Sequence, residues 1–406
     1  MYNRKESTLP TVRGDRIVEL DIIRGVALLG ILLANMPLFS YPYPYFELLH
    51  VSLWNDSWNR FIMLFLNVAV VNKFITIFSF LFGLGFIIFM ERLKLRGERP
   101  VVRYVRRLLF LMLLGVLHST YIWYGDILLI YSVFGFILLL FRNRSPKVLL
   151  NCGVALLLVS ALLLALQTFA FDNRLAIELA PAEQLEQAAD QSITVYQTGS
   201  FAEMINQRST DSDIISVSMF YTAILSLGMF FIGAYAGKRG YFRELDKHRQ
   251  TVKSAWIWSA AIGLPFLAIQ FALKYTIDST HTGLNLAQVP ALLIASPAIA
   301  IFYITSLLLL LRTALGQRVL APFAAVGRMA LTNYLLQSII CITIFYSFGF
   351  GLFAQVSPWY GLLLAIAIYG LQLVLSNLWL KRYPFGPLEW LWRTATYGKL
   401  GANRKR

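Results

Sequence analysis

The chain has 406 residues, of which 58% are hydrophobic and only 14% charged. A soluble protein of this length carries roughly a quarter charged residues, so a large water-soluble core is excluded and a polytopic membrane protein is indicated. The formal net charge of +15 would suit nucleic acid, but its distribution along the chain does not require it.

A membrane span takes about 20 mostly apolar residues. Ten such segments are predicted in chain order: 20–39, 72–90, 107–123, 127–141, 148–170, 214–236, 254–273, 289–311, 325–347 and 359–380. The first begins after a polar, charged leader and reads as a span, not a cleavable signal peptide. Residues 58–71 are a further apolar piece that lies in the interface or enters the membrane partway. The third and fourth spans are short and meet across Tyr124-Gly125-Asp126, a tight hydrophobic hairpin. The expected fold class is all-α: a transmembrane bundle of about ten spans forming one integral membrane domain over 1–406.

The loops orient it. Lys and Arg number four in 1–16, seven in 91–107, three in 142–147, six in 238–253, two in 312–324 and seven in 381–406. The alternating loops hold only three. The positive-inside rule then places both termini in the cytoplasm. The positive charge is thus a topology signal and a contact surface for anionic membrane lipid, and nucleic acid is not expected as a partner.

Residues 172–212 are the one long external loop, with seven acidic and two basic residues. ELAPAEQLEQAADQ reads as a helix with Pro181 in its first turn. Gly199-Ser200 breaks it, and FAEMINQR reads as a second short helix. The loop is either a solvated connector or a cap over an outward-facing cavity. The tail, 381–406, reads as a cytoplasmic interfacial helix with Pro387 in its first turn and Gly398 at its end. Trp390 and Trp392 suit the headgroup layer, and Glu389 and Arg393 stand i,i+4.

Polar residues inside spans are expensive and mark candidate sites. Asp21 and Arg24 lie one turn apart on the first span, and Arg24, Leu28, Ile31 and Asn35 follow one face. Gly30 and Ala34 permit a close helix contact on a neighbouring face. These polar groups are either an interfacial ion pair with a packing asparagine or a stripe lining a cavity. His118 lies about 16 Å along its helix from Arg107, near mid-membrane. A neutral imidazole there serves as general base, proton shuttle or metal ligand, or simply bonds a neighbouring span. Asp126 either caps the fourth span or orients a histidine. Lys73 opens the second span and snorkels or lines a path. Arg328, Thr332, Asn333 and Gln337 crowd the ninth span. They bond between helices or, through Arg328, bind a phosphate-bearing group. Cys152 and Cys341 lie in apolar runs and suit packing. No metal site, Walker loop, dinucleotide fingerprint or serine elbow is present in a credible context.

LDIIRGVALLGILLAN (20–35), FITIFSFLFGLGF (74–86), GVLHSTYIWYGDILLIY (115–131), GRMALTNYLLQS (327–338) and FGPLEWLWR (385–393) resemble the YeiB-like family of uncharacterised bacterial multi-pass membrane proteins. The motifs reach both ends of the chain, while 142–320 matches mainly in hydropathy. The resemblance implies a bacterial inner-membrane protein. More distantly, the LD-x-x-RG pattern with Asn35 is similar to membrane-bound acetyltransferases such as heparan-α-glucosaminide N-acetyltransferase, which pass an acetyl group from cytosolic acetyl-CoA to an amino sugar across the membrane. That likeness points by position to His50 as the key histidine. His118 sits inside a YeiB-like motif and is preferred.

The leading functional expectation is an acyltransferase that takes cytosolic acyl-CoA as donor and an extracytoplasmic acceptor. Arg24 and Arg328 dock the donor, His118 and Asp126 act at the centre, and Asn35 and Lys73 lie toward the outside. The alternatives are a small-solute transporter or lipid-head-group flippase using the same polar path, and a non-catalytic membrane sensor that reads through 172–212.

Overall fold

The computed structural model describes residues 16–49, 51–172, 181–276, 282–398 and 403. His50 and His281 lie outside them. The described residues form helices joined by short turns, with no strand among them.

The first helix, α1 (Val18–Ser40), leads through α2 (Tyr43–Leu48) to α3 (Ser57–Phe65). Asp56 caps α3 by accepting from the Asn59 amide at 3.0 Å. The helix widens into a π turn over Leu66–Val70 and breaks at Asn72, whose φ is +65°. Helix α4 (Lys73–Leu95) then begins, and despite the break Ser57–Leu95 forms one long apolar stretch, with 58–71 preceding the second span directly. Helices α5 (Pro100–Tyr121) and α6 (Leu128–Leu140) form the expected hairpin, followed by α7 (Pro146–Asp172). The remaining helices are α8 (Ala182–Thr198), α9 (Phe201–Lys238), α10 (Arg249–Thr276) and α11 (Thr282–Leu310). Three short helices follow: α12 (Ala314–Leu320), α13 (Phe323–Arg328) and α14 (Ala330–Phe345). The chain closes with α15 (Pro358–Arg382) and α16 (Pro387–Tyr397).

Every one of the ten expected spans carries a helix, but length sorts them. Among the described residues, six stretches are long and apolar enough to cross a membrane: Val18–Ser40, Ser57–Leu95, Pro146–Leu166, Phe220–Lys238, Arg249–Leu273 and Pro358–Arg382. The bent pair Ile294–Leu310 and Ala314–Leu320 brings the number to as many as seven. Helices α6 and α14 are shorter apolar helices. At a rise of about 1.5 Å per residue they fall short of a hydrocarbon core of about 30 Å. The described residues are therefore those of an all-helical membrane protein, with α6 and α14 each shorter than a full span.

Without a hydrophobic force between helices in lipid, association rests on close backbone approach. Helices α1 and α13 cross at two glycines. A Cβ on Gly25 would lie 2.1 Å from the Phe323 carbonyl oxygen, and one on Gly327 would lie 1.8 Å from that of Asp21. The α4–α9 crossing is built the same way, with Gly83 against the Phe230 carbonyl and Gly233 against that of Phe80. Gly30 instead lies under the Phe74 ring. Cys341 is buried, Cys152 is half-buried, and neither is in a disulfide.

The segment 181–212 departs from the sequence reading. Pro181 stands at the N-cap of α8 instead of in its first turn. Ser200 and Glu203 form a capping box. The expected second short helix is the beginning of α9, whose 38 residues extend about 57 Å, well beyond one bilayer core. Its first turns pack against α8 and α2. Asp211 accepts from Tyr45 at 2.8 Å, Tyr196 at 2.7 Å and Gln207 at 2.9 Å. Burial pushes its carboxyl up. The Gln197 amide donates to the Phe353 carbonyl at 2.7 Å. This is a packed cap, not a solvated connector.

Candidate functional site

His118 stands in the last turn of α5, where its carbonyl accepts from the Trp123 amide at 2.8 Å. The chain reverses and returns as α6, with Asp126 two residues before it. One Asp126 oxygen accepts from the Leu129 amide at 2.7 Å, and the other lies 2.8 Å from His118 Nδ1. The capping and orienting roles weighed from sequence are thus filled by one carboxylate. Both side chains are buried. A carboxylate only accepts, so Nδ1 is the nitrogen that carries a proton, and in the neutral imidazole Nε2 is then the acceptor. Nε2 is buried and has no hydrogen-bond partner. The Tyr334 ring stands 5.4 Å from the imidazole and that of Trp123 6.5 Å.

A cavity of about 360 Å³ lies between α1, α4, α5, α6, α14 and α16. Its inner end is apolar, lined by Phe78, Leu81, Phe82, Leu111, Leu128, Tyr131 and Tyr334. Its other end carries seven arginines, Arg16, Arg24, Arg92, Arg96, Arg107, Arg328 and Arg393, against two carboxylates, Asp21 and Glu389. Walls of low dielectric focus such a one-signed field. Asp21 is paired with Arg16 and with Arg24, the latter at 3.1 Å. The Arg107 guanidinium lies 3.6 Å over the Trp392 ring, whose N–H donates to the Arg107 carbonyl at 2.8 Å. Arg393 lies 4.1 Å over Phe385. A stacked guanidinium presents its planar N–H edge, which suits phosphate or carboxylate.

Helix α16 is held on this cavity by Glu389. Its carboxylate accepts from the Leu331 amide at 2.7 Å, the Thr332 amide at 3.1 Å and the Thr332 hydroxyl at 2.6 Å, closing the open start of α14. Burial pushes the Glu389 carboxyl up. The i,i+4 pairing with Arg393 is therefore corrected: the carboxylate serves a different helix. Trp392 lines the cavity wall. Pro387 at the first position of α16 and Gly398 beyond its end stand as expected.

Of the residues singled out from sequence, Asp21, Arg24 and Arg328 line the cavity. Arg328 also donates to the Pro384 carbonyl at 3.2 Å. His118 and Asp126 stand behind Tyr334 at the inner end and do not line it. Thr332 is engaged by Glu389. Asn333 bonds Ser376 at 3.0 Å, and Gln337 bonds Gln372 at 2.8 Å, forming rungs between α14 and α15. Asn35 and Lys73 lie away from the cavity. Lys73 does not snorkel: it is fully buried, with Nζ 3.3 Å from Gln270 Oε1. Arg107, Arg393, Glu389 and Tyr334 are not among the site residues expected from sequence. The basic run 91–107 and the 385–393 motif contained the signal, but they also served topology and interface. Among the described residues no group of three or more His, Cys, Asp or Glu side chains is placed to hold a metal ion.

Comparison with known proteins agrees with the motifs. Residues 236–399 match the family described as "Protein of unknown function (DUF418)". The chain is 38% identical to "Uncharacterized protein YxaH" of Bacillus subtilis (strain 168), over 96% of each chain. It is 32% identical to "Uncharacterized protein YeiB" of Escherichia coli (strain K12), over 95% of this chain and 98% of that one. A 39.9 kDa protein from the amylase 3′ region of Bacillus acidopullulyticus is 31% identical over 96% of both. No solved structure matches. Shared identity of 31–38% along almost the whole length means that the chain belongs to the YeiB-like family of membrane proteins.

Proposed function

We propose that the protein is a membrane-embedded acyltransferase of the bacterial inner membrane, with its arginine-rich end facing the cytoplasm. The observation that carries the reading is the imidazole of His118. Its Nδ1 is held by Asp126, its Nε2 is buried without a partner, and its ring packs on Tyr334, which lines an arginine-rich cavity. An orphaned buried acceptor costs stability, and a general base is a reason to retain one.

The arginine end suits the phosphates of acyl-CoA, and the apolar inner end suits an acyl chain. Tyr334 stands between His118 and the cavity, so its ring must swing aside for an acceptor hydroxyl or amine from the other side to attack the thioester carbonyl while His118 Nε2 takes its proton. The C–S bond breaks, the acyl group stays on the acceptor, and the thiolate leaves as CoA after receiving that proton. Asp126 steadies the imidazolium in between.

The test is acyl-CoA binding to detergent-purified protein, read as thermal stabilisation and as CoA released with time. A ligand at a hundredfold excess over its Kd adds about 2.7 kcal/mol. Arg107→Gln should lose stabilisation, whereas His118→Ala should bind but release no CoA. A folded His118→Ala protein with wild-type release, or no stabilisation by acetyl-CoA or longer acyl-CoA, overturns the reading.

A further inference from the structure

A second arginine stands apart from the cavity. Arg208 lies in the first turns of α9 and is 3% exposed. Its Nη1 donates to the Thr120 carbonyl at 3.3 Å, two residues beyond His118. Its Nε and Nη2 are buried and have no partner. These two nitrogens share one side of the guanidinium plane, the side that grips an oxyanion with two parallel hydrogen bonds. The neighbouring carboxylate does not fill it. Asp211, one turn on, is already engaged by Tyr45, Tyr196 and Gln207. On the α5–α6 turn beside Thr120, the Trp123 indole N–H is also fully buried without an acceptor. The imbalance is one of donors lacking an acceptor, and one of those donors bears a full positive charge. Asp211 offsets part of that charge from nearby, but the two donors of this edge still lack an acceptor.

We propose that the Nε–Nη2 edge of Arg208 is a binding site for an oxyanion, a carboxylate or phosphate group, separate from the arginine-lined cavity. The Phe201 ring, half-exposed, lies 5.7 Å from the guanidinium carbon, and that of Tyr346, buried, lies 5.8 Å from it. Phe201 therefore stands on the solvent side of the site and Tyr346 on the protein side. The site is defined by binding alone. Under the acyl-transfer reading it seats an acid group of the acceptor, near the end of the helix that carries His118.

The test uses the full chain in nanodiscs of neutral lipid, neutral lipid with inorganic phosphate or acetate added, or lipid containing phosphatidylglycerol. Thermal stabilisation is measured for wild type and for Arg208→Lys, which keeps the charge and loses the two-pronged edge. Wild type should be stabilised, with the apparent affinity at least about tenfold weaker in Arg208→Lys. Stabilisation by acyl-CoA should be unchanged in that variant, which separates this site from the cavity whether or not acyl transfer occurs. A shift with phosphate or acetate in neutral lipid identifies a soluble oxyanion. A shift confined to phosphatidylglycerol identifies a lipid headgroup. Equal affinity in wild type and Arg208→Lys, or no shift in any arm, overturns the proposal. Should Arg208→Lys not fold, cryo-electron microscopy of wild type in the same three arms decides. Density bridging Nε and Nη2 supports the site, and none at saturating oxyanion refutes it.

Discussion

Replacing Asp126 separates the two roles of its carboxylate. In Asp126→Ala the Leu129 amide loses a cap, worth about 1 kcal/mol. His118 Nδ1 is left buried and unpaired, at about 1–3 kcal/mol. The expected destabilisation is about 2–4 kcal/mol, near the upper end of single substitutions. Asp126→Asn is milder in stability and more severe in chemistry. An amide oxygen accepts one of the two bonds but not both, for a loss of about 1 kcal/mol. Its NH₂ is able to donate to Nδ1, moving the ring proton to Nε2 and removing the base. In serine proteases the same exchange at the orienting carboxylate lowers turnover about 10⁴-fold, and a comparable loss of CoA release is expected here. The assay is a double-mutant cycle with His118→Ala, read by thermal and denaturant unfolding in detergent. Contacting buried pairs couple by about 0.5–3 kcal/mol. If the Asp126→Ala and His118→Ala effects add without coupling, the 2.8 Å contact is absent in the protein and the reasoning fails, whatever the reaction.

A Cβ on Gly85, which lines the cavity, meets nothing within 4 Å. Gly85→Leu should therefore fold normally and lose acyl-CoA stabilisation by filling the space, and undiminished binding would show that the ligand sits elsewhere. Gly327→Ala places a methyl 1.8 Å from the Asp21 carbonyl oxygen, so α1 and α13 must part; a lowered melting temperature is expected, and an unchanged one would contradict the crossing. Because burial raises the Glu389 carboxyl, its folded pKa exceeds its unfolded one. Its contribution is then full below the unfolded carboxylate range and falls as pH rises through the raised value. Melting curves over that window should show wild type losing stability relative to Glu389→Gln as pH rises, and parallel curves would refute it. Arg107→Lys keeps the charge and forfeits the flat stack on Trp392, so acyl-CoA binding should weaken by several-fold in a titration.

Hydropathy made the helices legible, because a stretch of apolar residues has few alternatives in lipid. The His118–Asp126 contact was legible as well, since a hairpin with a three-residue break leaves few places for the carboxylate. Lys73, Asn333 and Gln337 carried the same intramembrane signal as His118, yet they bond between helices. Composition reports the cost of a buried polar group, not which neighbour satisfies it. Glu389 was misread because i,i+4 spacing describes one helix alone. Its acceptors were claimed by the start of α14, 57 residues earlier. Arg208 was counted only as one of two basic residues in an acidic loop, a reading that had no access to its burial.

The basic residues of this chain answer two demands at once. Positive charge beside the spans decides orientation, and for that purpose Lys and Arg are equivalent and position within a loop matters little. The cavity is more selective: among the described residues every one of its cationic lining residues is arginine, although lysines occur in the same loops at Lys94 and Lys381. A topology signal gives no reason for that choice. Planar guanidinium groups stacked on Trp392 and Phe385 do, because they hold their donors in fixed directions for an oxyanion while the ring shields the opposite face. Under the proposed acyl transfer the arginine end is a recognition surface, and its charge also suits the expected orientation. The apolar inner end then favours a ligand that carries anionic groups and an apolar part together, a requirement that a free inorganic anion does not meet.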